Sequence, residues 1–123
     1  VDWQPLSEQA IALALAQNKR VFVDVTADWC ITCKANKFNV LLRDDVQQAL
    51  SAPDVVALRG DWSRPSNTIA SFLRQRGSVA IPFNQIYGPG LTDGEILSPL
   101  LDRSTLLATL AQAGIAPSQG ETK

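Results

Sequence analysis

Phe22-Val23-Asp24-Val25-Thr26-Ala27-Asp28-Trp29-Cys30-Ile31-Thr32-Cys33-Lys34 decides how this chain folds. Its first half is an apolar, β-branched run, the pattern of a buried strand. It ends in Cys-x-x-Cys, and a helical pattern follows. Residues three apart share one face of a helix, so the two sulfurs can meet and join. A helix N-terminus offers free N–H groups and a partial positive charge, which favour a thiolate over a thiol. Strand, tight connection, Cys-x-x-Cys and helix together are what thiol–disulfide exchange requires. A purely structural disulfide is the plainer alternative, and the flanking strand and helix weigh against it.

The bulk of the chain sets limits on that reading. It has 123 residues, 46% of them apolar, and a formal net charge of −1. That length fits one domain with one core. The charge argues against nucleic acid, which calls for a basic face. There is no histidine, and Cys30 and Cys33 are the only cysteines. Ser-His and Cys-His catalytic pairs are thereby excluded. Two thiolates alone make neither a Cys₄ nor a Cys₂His₂ zinc site. No metal and no cofactor is expected. No segment is long enough to span a membrane: residues 10–16 are too few, and the uncharged stretch 77–92 is broken by Pro82, Pro89 and glycines. No signal peptide is visible, and the opening Val1-Asp2-Trp3 reads as a mature form or an excised domain.

Outward from the motif, residues 1–6 read as a short edge strand limited by Pro5. Ser7 caps a helix that runs to about Gln17, with Ile11, Leu13, Ala14 and Leu15 apolar. The helix after Cys33 runs to Leu42 with Phe38, Leu41 and Leu42 as core candidates. Asp44 caps a further segment carrying Val46, Ala49 and Leu50. Residues 55–62 form a second buried strand, and Ser66 or Asn67 caps a helix with Ile69, Phe72 and Leu73 inward. Gly77 ends it. Residues 84–87 and 95–97 are strands. Ser104 caps a last helix over residues 105–113, stopped by Gly114. The domain is expected over 1–117, with a disordered tail at 118–123. The order implies a parallel βαβ half joined to an antiparallel hairpin half, hence an α/β fold with a mixed sheet of four to five strands and helices on both faces.

Asp24 interrupts a strand that should be buried on both faces. It is read either as a solvent-facing strand residue or as a buried carboxylate beneath the cysteine pair. The nearby motif favours the second, in which Asp24 exchanges protons with a thiol. Ile31 and Thr32 carry no charge and no imidazole, so nothing between the cysteines adds stabilisation to a thiolate. A reductant or electron carrier is expected rather than a strong oxidant. Lys34 and Lys37 pull the other way, by favouring the anion. Pro82, ahead of strand-like residues, is a candidate cis proline.

Trp29-Cys30-Ile31-Thr32-Cys33-Lys34, with Asp24 six residues before Cys30 and Ile81-Pro82 downstream, resembles the thioredoxin superfamily over nearly the whole chain. Thr26 to Lys34, Gly60-Asp61-Trp62-Ser63 and Ala80-Ile81-Pro82-Phe83 together resemble the C-terminal periplasmic domain of the DsbD/ScsB transmembrane thiol reductases, with ScsB the nearer. The resemblance implies a thioredoxin-like fold in the periplasm, as the C-terminal domain of an inner-membrane protein and monomeric when isolated. It implies electrons accepted from a membrane-embedded cysteine pair and passed to periplasmic thioredoxin-like proteins. Cys30 becomes the exposed nucleophile, Cys33 the more buried resolving thiol, and Asp24 the proton acceptor. Trp29, Ile81 and Pro82 become the substrate-binding residues. The DsbD branch carries a glutamate seven residues after its first cysteine, and here that position is Lys37. A disulfide isomerase or oxidase, and a non-catalytic peptide-binding module of the same fold, are the competing functions.

Overall fold

A computed structural model of the chain describes residues 1–116. The domain end expected at 117 and the tail 118–123 lie outside the described residues. The elements run β1 (Trp3–Pro5), α1 (Glu8–Ala16), β2 (Arg20–Thr26), α2 (Ile31–Asn36), a π-helical turn (Lys37–Leu41), α3 (Asp44–Leu50), β3 (Val55–Asp61), α4 (Asn67–Gln75), β4 (Phe83–Gly88), β5 (Leu91–Ile96) and α5 (Arg103–Ala113).

The five strands form one sheet in the order β1-β3-β2-β4-β5. β1 and β2 lie parallel to β3, while β4 is antiparallel to β2 and β5 to β4. The expected mixed sheet is therefore present, with five strands. β2 is the central strand, and Val21 to Val25 are buried along its length. Alternate side chains of a strand point to opposite faces. Val21, Val23 and Val25 pack with Ile11 and Ala14 of α1 and Phe72 and Leu73 of α4. Phe22 points the other way, onto Val40 and Leu41 of the π turn, Val46 and Leu50 of α3, and Leu106 and Leu110 of α5. Helices thus cover both faces. Burying each such aliphatic or aromatic side chain contributes roughly 1.5–3 kcal/mol.

Several local expectations shift. The helix after Cys33 is not one α-helix to Leu42, because it widens into the π turn. That turn puts Val40 and Leu41 into the core, while Phe38 and Leu42, four residues apart on one face, stay exposed. Leu13 is exposed as well, since α1 turns Ile11 and Ala14 inward. Asp44 does not cap α3. It is the first helical residue after Arg43, and Asp45 instead accepts from the Val46 N–H. Asp102, not Ser104, caps α5: its carboxylate accepts from the Thr105 N–H at 2.9 Å and from the Ser104 hydroxyl. Ser7 and Ser66 cap α1 and α4 as expected. Gly77 follows α4 at φ +73°, a left-handed geometry that glycine adopts without steric cost. The Ile81–Pro82 bond is cis.

Candidate active site

The central strand ends at Thr26, and a four-residue connection delivers Cys30 to the start of α2. Cys30 holds the N-cap position with extended backbone (φ −96°, ψ 107°). Its Sγ accepts the Cys33 N–H at 3.1 Å. A sulfur thus does what a serine or aspartate oxygen does at most helix starts, and it meets the positive end of the helix. Cys30 and Cys33 are joined as a disulfide, with Cα atoms 5.2 Å apart. The connection is tied to the residues that follow β3. The Trp62 N–H donates to the Thr26 carbonyl at 2.7 Å, and the Asp28 N–H to Ser63 Oγ at 2.9 Å. The Trp29 indole N–H donates to the Trp62 carbonyl at 3.3 Å. Ser63 in turn donates to Asp61 through both its hydroxyl and its N–H.

Exposure does not separate the two cysteines. Each is 6% exposed, against the expectation of an open Cys30 over a buried Cys33. The reason is the shared cover: Ala27 is buried with both cysteines, and Ile81 packs against this cluster. Their surroundings do separate them. Cys30 lies between Trp29 and Ile31, 59% and 82% exposed. Trp29 also lines an open groove of about 550 Å³ with Trp62, Pro65, Val79, Ala80 and Ile81. Pro82, buried, follows Ile81 and lines the adjoining depression with Leu97 and Pro99. Cys33 instead faces a cleft of about 350 Å³ that holds Asp24, Lys34, Lys37 and Arg59.

Asp24 is 4% exposed, so the solvent-facing reading is set aside. One carboxylate oxygen accepts from Arg59 Nε at 2.9 Å, and the other from Asn84 Nδ2 at 2.8 Å. Burial pushes its carboxyl above the usual range. The charge of Arg59 and the two hydrogen bonds oppose that push without cancelling it.

A family model described as thioredoxin-like matches residues 2–89. The chain belongs to the thioredoxin-like family. Among curated proteins, this thioredoxin-like chain is 32% identical over 77 residues to the thiol:disulfide interchange protein DsbD of Yersinia enterocolitica, a match over 63% of the chain and 13% of that protein. It is 30% identical over 86 residues to DsbD of Yersinia pestis, covering 67% of the chain and 14% of the relative. The chain therefore spans about one-seventh of the length of these relatives. The reduced C-terminal domain of DsbD from Neisseria meningitidis superposes with a TM-score of 0.66 at 23% identity, over 86% of this chain and 92% of that one. A thioredoxin from Thermus thermophilus superposes with a TM-score of 0.67, also at 23% identity, over 91% and 85%. The chain thus carries the thioredoxin-like fold with a Cys30–Cys33 disulfide at the start of α2.

Of the residues singled out in the thioredoxin-like sequence, Cys30, Cys33, Trp29 and Ile81 come together at one end of the sheet. Asp24, Lys34 and Lys37 gather in the second cleft with Cys33. Arg59 and Asn84 escaped notice, although they make Asp24's hydrogen bonds. Both are direct register partners of Asp24, one in β3 and one in β4. The available signal was a polar residue inside each of three strands. Asn36 was also missed. Buried near the end of α2, it donates to the Pro99 carbonyl and accepts from the Leu101 N–H, strapping that loop beside the site.

Proposed function

We propose that this domain carries electrons from a membrane-embedded cysteine pair to periplasmic partner proteins through the Cys30/Cys33 dithiol–disulfide couple. The observation that carries it is a reducible sulfur placed as the cap of a helix, joined to a second sulfur that shares a cleft with a buried carboxylate. The likeness to DsbD supports the route. No helix among the described residues is long and apolar enough to cross a membrane, so the membrane-embedded pair would belong to another segment or protein. We further propose that the domain faces the periplasm and acts as a monomer.

In the reduced domain the Cys30 thiolate attacks a partner disulfide. A Cys30–partner bond forms, and one partner sulfur leaves as a thiolate. Cys33 passes its proton to Asp24 and attacks Cys30 Sγ. The intramolecular disulfide forms and the second partner sulfur leaves, so two electrons have moved to the partner. A donor dithiol restores the pair by the same exchange in reverse. Trp29, next to Cys30, Ile81, packed against the cysteine cluster, and Pro82 after it receive the partner's chain. An extended segment there pairs with the backbone at Ile81.

A Cys33→Ser variant tests the chemistry. It should accumulate a mixed disulfide through Cys30 with a peptide disulfide, released by dithiothreitol. Absence of this adduct, with the protein folded, sinks the reading. The route is tested in cells exporting the domain beside a DsbD-type membrane segment. Thiol alkylation should find the pair reduced only when the membrane cysteines are intact. Equal oxidation with and without them rejects the membrane donor.

Lys37 tunes this couple through charge. An ammonium in the cleft favours an anionic sulfur, and a carboxylate there disfavours it. Lys37→Glu should therefore raise the Cys30 thiol pKa, with Cys33 affected too because it lines the same cleft. Thiolate absorbance followed against pH in the reduced protein reads the change. Coincident curves for the two proteins would remove Lys37 from the account.

A further inference from the structure

Asn84 sits in β4 with 1% exposure, and among the described residues its carbonyl Oδ1 has no hydrogen-bond partner. Buried amides are seldom left this way, so the orientation of the side chain calls for a cause. The cause is on the opposite atom. Asn84 Nδ2 donates both to the Val23 carbonyl at 3.2 Å and to Asp24 Oδ1 at 2.8 Å. A backbone carbonyl only accepts. Turning the amide over would set Oδ1 against the Val23 oxygen, acceptor to acceptor. The NH₂ group is therefore locked toward β2 by the main chain, whatever the state of Asp24. Arg59, the register partner on the other side, donates to the second carboxylate oxygen. Asp24 thus meets a donor on each oxygen, and such bonds are stronger to a carboxylate than to a carboxylic acid, whose protonated oxygen is the weaker acceptor.

We propose that Asn84 is a positioning residue that holds Asp24 in its ionised, proton-accepting form, at the cost of its own stranded carbonyl. This deepens, and rests on, the reading of Asp24 as the proton acceptor for Cys33. The other groups around the carboxylate do not do the same work. Lys34 and Lys37 reach the cleft from α2 and the π turn, Asp28 from the connection before α2, and Asp61 from the end of β3. All four are exposed, and none donates a hydrogen bond to Asp24.

The test is Asn84→Leu, which keeps the bulk and removes the donor. The Asp24 carboxyl is followed by carbon NMR against pH in the oxidised protein, where no thiol titrates. Its midpoint should move up by about one pH unit. Reduction of a peptide disulfide by the reduced variant should slow several-fold below that midpoint and rejoin the wild-type rate above it. An unmoved midpoint overturns the proposal. A moved midpoint with an unchanged rate profile upholds Asn84's hold on the charge but removes Asp24 from the chemistry. If Asn84→Leu does not fold, Asn84→Ala removes the same donor and is read the same way.

Discussion

Replacing Cys30 by serine is expected to lower the rate of protein-disulfide reduction by about 10⁴-fold or more, since the attacking atom itself is lost. The effect should be chemical rather than structural. Serine is a good N-cap, so its hydroxyl can take the Cys33 N–H that Cys30 Sγ accepts now. The disulfide also disappears. It closes a short loop, and chain entropy assigns such a loop about 2 kcal/mol. The variant should therefore match the reduced wild type in urea unfolding and fall below the oxidised wild type. Insulin reduction with a supplied dithiol measures the activity. Retention of more than a few per cent of wild-type turnover would show that Cys30 is not the nucleophile. A variant already unfolded without denaturant would leave Cys33→Ser trapping to decide the same question.

The second large effect concerns Asp24. Asp24→Ala should slow exchange by roughly 10²-fold near neutral pH, the usual range for a missing general base. It should at the same time alter stability in a direction that the environment sets. Burial raises the carboxyl above its ordinary 3.8, against the pull of Arg59 and Asn84. The folded protein therefore holds this proton more tightly than the unfolded chain does. Stability from this group is fully present below 3.8 and is lost as pH rises through the elevated value. Above that value the wild type carries a buried charge whose cost is only partly offset. Asp24→Ala removes it, while Arg59, 29% exposed and stacked on the Trp3 ring at 3.8 Å, can turn to water. Asn84 keeps its bond to the Val23 carbonyl. The variant should gain on the order of 1 kcal/mol at neutral pH and lose the acid-to-neutral decline. Urea unfolding at several pH values checks this. Parallel pH profiles for the two proteins would mean that Asp24 is not the group responsible.

What the sequence disclosed follows from the range over which each interaction acts. The central strand and the helix after Cys33 were legible because period and spacing are local. So were Ser7 and Ser66, which cap the turn beside them. Arg59 and Asn84 meet Asp24 across 35 and 60 residues of chain, and only strand register brings them there. The π turn was not legible, since one extra residue in a helical turn leaves no compositional mark. It is why Phe38 and Leu42 face water while Leu41 does not. Asp102 displaced Ser104 as cap because both are competent and only the backbone decides between them. The equal cover over Cys30 and Cys33 could not be read either. It depends on Ile81, which arrives from a loop some fifty residues away.

The hydrogen bonds that lash 26–29 to 62–63 make the mouth beside Cys30 a fixed jaw rather than a flap. Little motional freedom is left there to surrender when a visitor arrives. Adaptation must then come from the visiting chain, which has to offer its disulfide on a segment loose enough to lie along Trp29 and Ile81. A compact protein whose disulfide is pinned between two packed elements should be a poor customer for this domain, however favourable its reduction.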